Sequence, residues 1–332
     1  MTTVDVASNT NANAARATIT SSNIPSTFPN ANNPLTTVAG DIVVDDANHR
    51  LLVSDHGQKA ILAIDLTTGA RSILSGAGVP DNINLFGSPR GLRLDSGNNR
   101  VLVVSGTDST MYAVDLDTGV RTVISSDTIP NGNHALSLAV DVALDSGNGR
   151  ALAVVPVTAN PFASTRVIAI NLATGQRTMF SDNSTPDGVN PFVNPFGIIL
   201  DKDNGRALIA DADNRSIVAA DLVTGVRTIL SGDGVPDNVN SFSRPNGMAI
   251  DNIFGRVLVT DHPNSSVLVV EPTSGARSVL TSATIPDSIN PLSSPIGVAV
   301  SAATNQIFIL DNQLQAVFAV EPVTGQRVVL SK

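Results

Sequence analysis

A Thr-Gly pair recurs at Thr68-Gly69, Thr118-Gly119, Thr174-Gly175, Thr224-Gly225 and Thr324-Gly325, and Ser274-Gly275 completes a series spaced by 50, 56, 50, 50 and 50 residues. An arginine stands two residues after each glycine: Arg71, Arg121, Arg177, Arg227, Arg277 and Arg327. Two further markers keep step. Pro80, Pro130, Pro186, Pro236 and Pro286 always precede Asp or Asn, and Arg50, Arg100, Arg150, Arg206 and Arg256 recur, with Gln306 in the sixth copy. A fixed period of this length is the mark of a chain built from stacked or radially arranged units. Each unit holds four short runs rich in β-branched residues, in the fourth copy at 197–200, 206–210, 216–220 and 227–230. Asp-x-x-Asn-Gly separates the first two runs and Asp-Leu-x-Thr-Gly the last two, both tight-turn signals with Gly available for positive φ. No helical period is present. Four antiparallel strands per unit, six times over, predict an all-β fold, a six-bladed β-propeller.

The repeats fall at about 33–83, 84–132, 133–189, 190–239, 240–289 and 290–332, within one domain spanning 15–332 behind a flexible tail, 1–14. Residues 15–20, Ala-Arg-Ala-Thr-Ile-Thr, form a seventh copy of the fourth run. Closure of the ring by pairing of the chain ends is therefore expected, with 15–20 and 327–331 competing for the outer edge of the last blade. The third copy carries six extra residues within 156–165, placed as a rim or lid over the channel mouth.

Composition narrows the function. The 332 residues contain no cysteine, which excludes disulfides, thiolate metal sites and cysteine nucleophiles. Aromatics are 3% of the chain and the net charge is −9, against binding of nucleic acid through stacking or phosphate contacts. No apolar stretch approaches the ~18 residues of a membrane span. The expected protein is soluble and monomeric and acts on a small molecule. No signal peptide is visible, so a periplasmic or secreted location requires one already removed. Phosphate loops, His-Glu-x-x-His and Gly-x-Ser-x-Gly are absent.

Pro-x-Gly-x-x-x-Asp followed by a strand ending in Val-x-Asp, as at Pro195 to Asp201 and Val259 to Asp261, resembles NHL-type repeats. It is also similar to the six-bladed regucalcin, gluconolactonase and paraoxonase superfamily. The resemblance implies either a binding module or a metal-dependent hydrolase. In such hydrolases a calcium or other divalent ion sits in the central channel, held by Glu, Asn and Asp at the starts of innermost strands. Arg244-Pro245-Asn246-Gly247 matches that motif, so Asn246 carries over as a ligand; the equivalent positions are Gly40, Arg90, Val140, Phe196 and Ile296.

Departures from the repeat's own pattern mark the remaining candidates. The Gly of Pro-x-Gly is Asp41 in the first copy and Asp141 in the third. With Asn246 these two offer the oxygen donors of a hard cation, calcium foremost. They lie one residue later than Asn246, so strand alternation turns them to the other face; a bulge at Gly40 would bring Asp41 back in blade one. His56, His134 and His262 map to the linker face and His49 to the opposite one. Any of the three could serve as a general base, His262 foremost because it shares a blade with Asn246. Arg90 is the candidate for steadying negative charge. Asp55, Asp211, Asp261 and Asp311 end second strands and are expected to hold loops. The expected function is hydrolysis of a small ester, lactone or phosphotriester with a divalent cation in the channel. The alternative is a non-catalytic propeller presenting its loops to a protein or glycan.

Overall fold

A computed structural model describes residues 33–130, 134–156 and 165–332. The tail 1–14, the extra strand sequence 15–20 and most of the insertion at 156–165 lie outside the described residues. Six four-stranded antiparallel sheets form the blades, each in chain order from its first strand to its fourth. The only helical pieces among the described residues are three-residue turns at Asp46–Asn48, Ser96–Asn98 and Ser146–Asn148. The first strands are Ala39–Asp45, Pro89–Asp95, Asp141–Asp145, Pro195–Asp201, Pro245–Asp251 and Pro295–Val300. Each touches the first strand of the next blade, and the sixth touches the first, so these strands ring a central channel. The outer edge of blade six is Arg327–Ser331. Ser331 Oγ donates to the Gly69 carbonyl at 2.7 Å, joining blade six to blade one.

The strands are buried on both faces because each blade packs against two neighbours. Six hydrophobic clusters result, one at each seam; that between blades one and two joins Leu52 and Ile61 to Leu92 and Val103. Apolar burial of this kind is the main favourable term for folding.

The repeated markers turn out to be seam hardware. The six Gly of the Thr-Gly turns all have φ between 69° and 73°. From blade two onward the arginine after the turn reaches into the preceding interblade linker. Arg121, for example, donates to the carbonyls of Val79, Asp81 and Ile83 at 2.8–2.9 Å. Arg227, Arg277 and Arg327 repeat this grip. A left-handed Asn in four of the linkers returns it: Asn84, Asn190, Asn240 and Asn290 donate to the carbonyls of Arg121, Arg227, Arg277 and Arg327. The second arginine series ties blades at the other face. Arg50 pairs with Asp45 at 2.8 Å and donates to the Leu116 carbonyl of the next blade. Asp55, Asp211, Asp261 and Asp311 accept backbone N–H groups of the loop that enters their own blade.

Candidate functional site at the channel mouth

The starts of the inner strands cannot lie flat, because they converge on the axis. Register shifts fall between Ala39 and Ile42, Pro89 and Leu92, and Pro245 and Met248. The shift in blade one spans Gly40, the place where the sequence asks for a bulge. With these irregularities Asp41 and Asn246 face one cavity of about 250 Å³ despite their offset, at the channel mouth on the linker face. Asp141 joins them although it pairs regularly with Val154. Thr37, His56, Arg90 and Asn312 complete the polar lining, and Val140, Phe196 and Ile296 supply apolar wall.

Asp41 and Asp141 each join two blades. Asp41 accepts the N–H of Ile42 at 2.8 Å and of Leu92, in blade two, at 3.0 Å. Asp141 accepts Val142 and, in blade four, Ile198, both at 2.7 Å. Burial raises both carboxyls above their ordinary range, and for Asp141 the charge of Asp41 adds to it; Asp141 is pushed up to about 8. Arg93 is the counterweight. It reaches from blade two to the carbonyls of Val142 and Ile198, both at 3.1 Å, with its guanidinium 4.0 Å from Asp141.

A calcium ion takes roughly six to eight oxygen donors. Here each carboxylate oxygen already accepts a backbone N–H, Asn246 adds one amide, and Arg93 supplies positive charge to the same pair. Among the described residues no three His, Asp or Glu side chains converge as a metal cluster. The donor set does not fit calcium.

His56 sits in the loop after the second strand of blade one, half-buried, with Nδ1 2.5 Å from the hydroxyl of fully buried Ser88. Burial first, and the Arg90 guanidinium second, lower its pKa, which favours the neutral imidazole. Arg90 Nε is buried and has no hydrogen-bond partner. A buried donor left in that state costs about 1–3 kcal/mol. Asn312 donates to the Ala39 carbonyl at 3.0 Å, while its Oδ1 is likewise buried and unpartnered.

The structure thus brings Asp41, Asp141, Asn246, His56 and Arg90 together and leaves two histidines aside. His262 is exposed in a turn of blade five and does not line the cavity. His134 is exposed at φ 53°, in the linker place that Asn84, Asn190, Asn240 and Asn290 hold elsewhere. Arg93 and Asn312 were not singled out from the sequence. Arg93 carried a signal: its equivalents are Val43, Ala143, Ile199, Ala249 and Ala299, so a charge interrupts an apolar series. Asn312 carried a fainter one: it follows Asp311 at the repeat position where His56 follows Asp55 and His262 follows Asp261.

No protein-family model matches the chain, and no curated protein matches it. Solved structures do. A propeller from the nidogen/laminin complex superposes with TM-score 0.62 at 17% identity, covering 83% of this chain and 91% of that one. A gluconolactonase from Xanthomonas campestris gives TM-score 0.61 at 13% identity, over 84% of each chain. An auxiliary nutrient binding protein from Bacteroides ovatus gives 0.61 at 15% identity, over 86% of this chain and 69% of that one. At such identities the likeness establishes architecture: the chain shares the six-bladed β-propeller fold of these proteins.

Proposed function

We propose that the chain hydrolyses a small ester or lactone at the linker-face mouth of its channel, by acid–base chemistry of its own side chains. The observation that carries this is an imidazole favoured in its neutral form beside an unpaired guanidinium, both in one concave cavity. Titratable groups whose values are displaced by burial and charge within a cleft mark functional sites. With Nδ1–H donating to the Ser88 hydroxyl oxygen, Nε2 is the atom that takes a proton from water. The water oxygen adds to the substrate carbonyl, and the carbonyl oxygen gains the charge that Arg90 meets. Collapse breaks the bond to the leaving oxygen, which takes the proton back from His56. Preorganised donors at such an oxygen are worth a factor of about 10²–10³ in rate. The gluconolactonase of the same architecture supports this reading.

Aryl esters, lactones and phosphotriesters form the assay panel. Turnover should be unaffected by chelator. His56→Gln should lower kcat by about 10²–10⁴, the usual weight of a general base, with the melting temperature held. Absence of turnover above background, or full activity in His56→Gln, would overturn the proposal. A second reading would then stand: a non-catalytic module presenting this face to a protein. It is favoured by Ile83, Val189, Val239 and Ile289, which recur at one linker position and are 65, 59, 58 and 61% exposed.

A further inference from the structure

We infer that the channel mouth binds small hydroxycarboxylates, with the carboxylate on Arg90 and the hydroxyl on Asn312. The inference rests on the cavity being a small-molecule site, as proposed above, and not on its turning anything over. Every other arginine among the described residues makes a hydrogen bond or an ion pair. The two series at the seams are spent on carbonyls and aspartates. Arg93 is spent on Val142 and Ile198. Even the exposed Arg215 and Arg244 pair with Asp233 and Asp213. Arg90 alone has no partner, and its Nε is shut off from water. Burial lowers its pKa with no carboxylate to offset it. A guanidinium in this condition is a fork aimed at a planar anion.

The second orphan is of the opposite kind. Asn312 spends its amide N–H on Ala39, which fixes the carbonyl oxygen as an acceptor with nothing to accept. Arg90 enters from blade two and Asn312 from blade six, on either side of blade one, and both line the cavity. The missing ligand therefore carries an anionic acceptor at one end and a neutral donor at the other. A single negative charge suits the place, since Arg93 is already engaged and His56 is favoured in its neutral form. About 250 Å³ admits only a small molecule. Hydrolysis of a lactone in the orientation described above would release these same two groups, a carboxylate at Arg90 and a hydroxyl, so the product would be a ligand.

Titration calorimetry with lactate, 4-hydroxybutyrate, propionate, lactamide, alanine and inorganic phosphate tests this on the full chain. At least one hydroxycarboxylate should bind in the millimolar range or better, roughly tenfold or more ahead of propionate, which lacks the hydroxyl, and of uncharged lactamide. Arg90→Met should abolish carboxylate binding without lowering the melting temperature, because the side chain it removes holds nothing. Asn312→Ala should bring the hydroxycarboxylates down to the level of propionate. Three results would overturn the inference: no carboxylate binds the wild-type protein, phosphate or alanine is preferred, or Arg90→Met binds as the wild type does. The wild-type comparison among ligands needs no variant to fold. Binding without turnover would sink the hydrolase reading and leave this one standing.

Discussion

Gly225→Val should lower stability by roughly 3–5 kcal/mol, because two independent penalties meet at one position. The residue sits at φ 73°, where a β-branched side chain is strained. A side chain there would also run into the backbone carbonyl of Phe180 in the neighbouring blade, which cannot move without shifting the seam. The turn is locked from both directions: Gly225 N–H donates to Asp221 at 2.8 Å, and Ser181 Oγ donates to the Gly225 carbonyl at 3.0 Å. Two residues on, Arg227 grips the linker. Thermal unfolding should show a fall on the order of 10 °C. Ligand binding per folded molecule should not change, since the turn lies at the outer strand, remote from the channel. A melting temperature equal to that of the wild type would show that the Thr-Gly series does not hold the seams.

The repeat made the architecture legible because each marker does a job that only its residue type can do. Gly takes the left-handed turn, arginine reaches back from its blade to the linker that enters it, and aspartate gathers loop N–H groups. Such residues recur in step because every seam poses the same problem. The site was legible only where the repeat breaks. Asp41, Asp141 and Arg90 stood out that way, and the cavity gathers them. Arg93 stood out equally, as a cation in an apolar column, yet its role needed the three-dimensional reach from blade two to blade four. His134 looked like a catalytic candidate on its linker. Aligned by repeat, it takes the place of a seam asparagine. His262 follows Asp261 as His56 follows Asp55, yet it is exposed and does not line the cavity, a distinction that loop position cannot give. Asn312 shares the repeat position of His56, but its unfilled lone pair is visible only in three dimensions.

The acid pair gives the chain a pH dependence of unusual sign. Most shifted aspartates here, such as Asp65, Asp115, Asp182 and Asp221, are held low by turn N–H and hydroxyl groups. They add stability as pH rises, and their contribution is complete above the ordinary carboxyl range. His56, lowered in the folded state, likewise gains stability as pH rises toward its ordinary value of 6.5. Asp41 and Asp141 run the other way, as does Asp211, also raised by burial. Their folded pKa lies above the ordinary 3.8, so the folded chain binds their proton more tightly than the unfolded one. That contribution is whole below about pH 4 and is lost as pH rises through about 8, the value to which Asp141 is pushed. Between pH 6.5 and 9 the pair should dominate, and the melting temperature should fall by several degrees, for a linkage of roughly 2–4 kcal/mol. Asp141→Asn should flatten this slope. It should also melt lower than wild type at pH 6, because its amide nitrogen cannot accept one of the two N–H groups, Val142 or Ile198, that the carboxyl serves. Loss of the slope together with that lower starting point is the signature of a protonated staple between blades. A slope that survives in both Asp141→Asn and Asp41→Asn would place the proton elsewhere.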